Sequence, residues 1–166
     1  RKISLFLLLV LFVGVFSGAP VDKVKANSAR LGNFTCELLD DGTIAVERYY
    51  GAGLDIDLVI PAQLEGYTVS QVGDGHFNIY DSPKSIRSIT ISPGIERISN
   101  HAFDGCTNAE TISVPDSVEY IGEEAFEGCA TVANIHIPEN VMEIGERAFF
   151  DCESITTLSF PGGLKI

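Results

Sequence analysis

The chain has 166 residues, room for one domain, and a net charge of -12 from 11 basic and 23 acidic residues. That surplus argues against a phosphate backbone and against an anionic membrane surface as partners. Cations, basic proteins and neutral glycans stay open.

Arg1 and Lys2 lead into a 14-residue apolar run, from Ile3 to Phe16. The run is shorter than the ~20 residues of a membrane span, and Gly14 with Ser17-Gly18-Ala19-Pro20 breaks it. A charged start and a short apolar core are the pattern of a signal peptide. Residues 1–26 are assigned to it, with cleavage after Ala26, where Val24 and Ala26 flank Lys25. An uncleaved anchor is the alternative. The remainder holds 7 basic and 22 acidic residues, a net of -15.

Residues 27–57 form the expected N-terminal cap. Phe34-Thr-Cys36-Glu-Leu38 and Ile44-Ala-Val46-Glu-Arg48 alternate apolar and polar residues around Asp40-Asp41-Gly42-Thr43. Asp and Gly tolerate the positive φ of a tight turn, so the segment is expected to be a β-hairpin. Tyr49 and Tyr50 are expected to pack at its edge, with a ligand platform as the other possibility.

From residue 58 the chain repeats itself. Residues 58–84 make an irregular first coil, residues 85–157 three regular coils, and residues 158–166 begin another. The middle copy is Ile112-Ser-Val114-Pro115, Val118-Glu-Tyr-Ile121-Gly122, Ala125-Phe126, Gly128-Cys129, and the period is 23 residues. A fixed period of this length marks a solenoid. The fold expected is a β-rich solenoid, with short strands on two faces. Ile112 and Val114 point inward and Thr111 and Ser113 outward, because side chains alternate along a strand. Pro115 ends the strand. Phe103, Phe126 and Phe149 form the spine of the core. Gly128, and Asp151 in the next coil, should occupy left-handed turns. In the irregular coil, insertions around Leu64-Glu-Gly66-Tyr67 and around Tyr80 are expected to be surface loops.

The positions that recur are explained by packing, so binding is sought elsewhere. Two outward columns, Ser88-Thr111-Asn134-Thr157 and Thr90-Ser113-His136-Ser159, make a small polar face. The candidate ligand-binding residues are Thr111, Ser113, Asn134, His136 and, in its loop, Tyr80; a plain solvated sheet is the competing reading. Glu96, Glu119, Glu123, Glu124, Glu143 and Glu146, with Arg97 and Arg147, form an acidic ridge that reads as solvated. Cys106, Cys129 and Cys152 recur at the period. Ladder neighbours ~4.8 Å apart sit slightly beyond disulfide reach, so a column of small buried hydrophobes is expected, disulfides being the alternative. There is no Cys-x-x-Cys or His-x-x-x-His spacing for a metal, no phosphate-cradling Gly-rich loop before a helix, and no Ser or Cys set beside a His for nucleophilic catalysis. No cofactor is expected.

The pattern Ile-x-Ile-Pro, Val-x-x-Ile-Gly-x-x-Ala-Phe-x-x-Cys closely resembles the BspA-like leucine-rich repeat family, from Leu58 to Ile166. Ser99 departs from it where Gly122 and Gly145 stand, and Pro93 falls one place late. The resemblance implies a right-handed leucine-rich-repeat coil and a secreted or cell-surface protein. It implies adhesion to an extracellular protein or glycan, without catalysis. A repeat module of a longer secreted enzyme and a structural spacer are the alternatives. The chain stops just after Gly162-Gly163-Leu164, as the new coil begins, and the open strand edge this would leave implies that the native chain continues.

Overall fold

The computed structural model describes residues 28–50, 56–73, 78–79 and 85–164. The expected signal peptide, Tyr80 and Phe77, which matches Phe126 in the irregular coil, lie outside the described residues.

The cap is a three-stranded meander. Strands β2 (Phe34–Leu38) and β3 (Ile44–Tyr49) pair antiparallel, with Leu38 opposite Ile44. Gly42 takes φ +84° in the connecting turn, and Leu39 N–H donates to Thr43 O at 2.9 Å. The Asp41 carboxylate accepts from Thr43 N–H at 2.8 Å and from its hydroxyl at 2.7 Å. Ahead of this hairpin lies a strand that periodicity does not disclose. It is β1 (Ser28–Leu31), folded back on β2 through a two-residue turn at Gly32, φ +60°.

The hairpin covers the first core layer by becoming part of a sheet. β3 pairs parallel with β6 (Tyr67–Val72), placing Ile44 against Val69 and Val46 against Val72, all four inaccessible to solvent. Successive coils extend the sheet through β9 (Arg97–Ile98), β11 (Tyr120–Ile121) and β12 (Glu143–Ile144), all parallel. The insertion after Pro61 differs from the expected loop. β5 (Gln63–Leu64) pairs antiparallel with the start of β6 across Glu65 and Gly66. Their φ values of +50° and +84° make the tight turn that suits a hairpin. β7 (Asn78–Ile79) lies parallel to β3.

The opposite sheet stacks β4 (Ile56–Ile60), β8 (Ile86–Ile91) and β10 (Thr111–Ser113) in parallel. A bridge between Asn134 and Thr157 continues the ladder two coils on. The corner between the faces carries a third ladder. His101, Phe103 and Gly105 N–H donate to Glu123, Ala125 and Glu127 O at 2.7–2.8 Å. Glu124, Phe126 and Gly128 repeat this toward the following coil at 2.8–3.0 Å. Stacking therefore satisfies the backbone of each coil through its neighbours.

Phe103 and Phe126 are fully buried and stack at 5.5 Å with 14° between planes; Phe126 and Phe149 follow at 5.5 Å and 8°. Gly128 and Asp151 take the left-handed conformation expected of them, at φ 70° and 54°, and Gly105 shares it at 71°. Gly122 is required for a different reason. A Cβ there would collide with the Asn100 backbone nitrogen and lie 2.6 Å from the Ser99 carbonyl carbon. Ser99 stands at the equivalent place one coil earlier, where its hydroxyl donates to Gly73 O at 2.7 Å.

Candidate functional site

The strand face is assembled as the sequence indicates. Ile112 and Val114 are buried, and Thr111, Ser113, Asn134 and His136 are exposed. Thr111 stacks on Ser88 and Ser113 on Thr90, and the Thr157 hydroxyl donates to Asn134 Oδ1 at 3.0 Å. Both columns reach one coil further, to Asp57 and Val59 of β4. Asp57 and Ser88 stand 31 residues apart, so the 23-residue period does not reach this continuation. Asp57 accepts from Ser88 Oγ and from Arg87 Nη2, each at 2.6 Å, and these bonds hold its carboxyl below the usual range. Small hydroxyl and amide groups dominate the face, a poor composition for a binding hot spot.

The cysteines are free thiols. Cys106 and Cys129 are fully buried, as expected of small core residues. Cys129 and Cys152 Sγ donate to the Phe103 and Phe126 carbonyls of the preceding coils, at 3.5 and 3.2 Å. Burial pushes Cys36 and Cys106 up to about 12, and Cys129 upward as well. Thiols held in this form are inert as nucleophiles.

The acidic ridge separates into two unlike parts. At the corner, His101, Glu124 and Arg147 stack in a column, each with positive φ, at 54°, 53° and 58°. His101 Nδ1 lies 3.0 Å from Glu124 Oε2, and Arg147 Nε 3.5 Å from Glu124 Oε1. Arg147 also pairs with Glu127 at 2.8 Å and covers the Phe150 ring. His101, Asp104 and Glu124 bring three potential metal-ligand atoms within 4.8 Å of one another. The Arg147 guanidinium beside Glu124 competes with a cation there.

On the outward side of the return sheet, β-ladder register aligns Gln71, Arg97, Tyr120 and Glu143. A second row, Ser70, Glu96, Glu119 and Met142, is tied together by backbone bonds of 2.9 Å from each N–H to the carbonyl one coil back. With Asp41 of the cap turn, the two rows enclose a groove of about 290 Å³. The Arg97 guanidinium sits 3.6 Å over the Tyr120 ring, and Met142 is 56% exposed. Hydrogen bonds from Thr43 keep the Asp41 carboxyl below its ordinary range. Among the described residues no ion pair engages Glu96, Glu119 or Glu143. Tyr120 and Met142 escape sequence reasoning because each departs from its column's polar neighbours in one coil only. That departure was the available signal. Tyr80, the remaining candidate, is outside the described residues.

A family model described as the BspA type leucine rich repeat region (6 copies) matches residues 69–166. No curated protein matches the chain. Among solved structures, a leucine-rich repeat protein of T. pallidum is similar, with TM-score 0.71 and 29% identity, over 80% of this chain and 60% of that one. A leucine-rich repeat protein of Bacteroides ovatus gives TM-score 0.70 and 26% identity, over 81% of this chain and 36% of its own. One from Bacteroides capillosus gives 0.61 and 25%, over 79% and 96%. The chain thus spans less than two thirds of the first two.

Proposed function

The chain belongs to the BspA-type leucine-rich repeat family, and from that premise we propose that it is a non-catalytic recognition module of a secreted or surface-displayed protein, binding an extracellular protein or glycan. Export is supported by Arg1-Lys2 and the apolar run behind them. The observation that carries the binding reading is the groove on the return sheet. Recurring residues are consumed by packing, whereas Tyr120, Arg97 and Met142 do not recur and line one concavity. Tyr, Arg and Met are the residue types enriched where protein interfaces concentrate their energy. The groove stands on backbone ladders, so ordering it costs little on binding.

The test is a screen of the purified, folded chain on arrays of extracellular matrix proteins and glycans. Saturable binding to at least one component is expected. A folded sample that binds none of them overturns the proposal and leaves the chain a structural spacer.

A further inference from the structure

We infer that the return-sheet groove receives an extended, arginine- and lysine-rich segment of a protein partner. This deepens the recognition reading above and rests on it. The first argument is charge. Asp41, Glu96, Glu119 and Glu143 face the groove against the single cation Arg97. The three glutamates have no ion-pair partner among the described residues, in contrast to Glu124 and Glu127 at the corner. Four carboxylates brought together on neighbouring coils repel one another, and a cationic guest relieves that repulsion.

The second argument is that the groove already displays the contact. Arg97 lies over Tyr120 at 3.6 Å with Glu96 and Glu119 in the adjacent row. A planar cation on an aromatic face flanked by carboxylates is how a guest arginine would be held.

The third argument is size and direction. A space of about 290 Å³ admits side chains rather than a folded body. The rows cross parallel strands ~4.8 Å apart, so an extended segment lying along them meets a new carboxylate at each coil. Exposed Met142 ends one row with a deformable apolar contact for the stems of lysine or arginine.

The experiment measures anisotropy of a labelled, extended peptide with alternating arginine and lysine, titrated with the full chain. The paired substitution Glu96→Gln with Glu119→Gln is compared with Glu123→Gln with Glu146→Gln, which removes the same charge from exposed corner positions. Tyr120→Ala and Tyr120→Phe probe the ring without changing charge, and circular dichroism melts verify folding. The groove pair and Tyr120→Ala should each weaken binding by about tenfold, with Tyr120→Phe and the corner pair within about twofold. Equal losses from the two charge-matched pairs would mean a diffuse field and overturn the inference. So would an unbound peptide. If an array component still binds in that case, the recognition reading survives; if nothing binds, both fall.

Discussion

The strand face of β4, β8 and β10 and the return face of β6, β9, β11 and β12 rest on the same core but expose different chemistry. The first shows Ser88 and Thr111 beside Thr90 and Ser113; the second shows Arg97, Tyr120 and Glu143 beside Glu96, Glu119 and Met142. From β8 onward the strand-face columns are mostly small and polar, and Asp57 at their start is tied down by Ser88 and Arg87. On the return face the row of Gln71, Arg97, Tyr120 and Glu143 changes at each coil, and Glu96, Glu119 and Glu143 have no ion pair among the described residues. Regular columns satisfy one another, whereas an irregular row leaves valence for something else.

Four perturbations would break or sharpen this contrast. Phe126→Ala removes the middle of a three-ring stack under both faces. It should cost about 3–5 kcal/mol in urea melts and weaken both faces together. Loss of return-face order alone would show that the faces do not share one core.

Gly122→Ala strikes the return side selectively, because the new Cβ meets the Ser99–Asn100 backbone. A cost of about 1–3 kcal/mol is expected. Amide exchange should rise around Tyr120 before it rises at Thr111. Equal acceleration at both would erase the distinction.

Alkaline pH acts on the interior. Cys36 and Cys106 have folded pKa values raised from 9.0 to about 12. Their stabilising contribution is full below pH 9 and is lost as pH climbs toward 12, because the unfolded chain gives up those protons first. Each thiol should cost about 1.4 kcal/mol per unit over that window, and Cys106→Ala should flatten the decline in melts at pH 8 to 10. An unchanged slope would refute the thiol origin.

The smallest effect belongs to the strand face. Thr111→Lys, at an exposed position, should change stability by no more than about 0.5 kcal/mol and leave peptide binding unaltered. A clear loss of binding in the anisotropy assay would transfer the site to the columns of Thr111 and His136.

The inward ladders were legible in the chain because a period aligns equals. Ile112, Val118, Phe126 and Cys129 are buried where spacing puts them. Strand β1 and the Glu65–Gly66 hairpin were not, since neither belongs to the repeat. The groove was half legible: its glutamates were visible as an acidic ridge, but the ridge looked uniform. Spacing says which residues stack and not which way the chain bends at the corner. There His101, Glu124 and Arg147, at positive φ, gather one set of charges into ion pairs.

The sequence alone determined the solenoid, its period, its buried ladders and its acidic surplus, because stacking copies forces equivalent residues into register. Only the tertiary structure decided that the cap hairpin extends the return sheet and contributes Asp41 to a groove with Tyr120 and Met142. That outcome depends on contacts between segments far apart in the chain, where no local pattern records which carboxylates find a partner and which remain facing solvent.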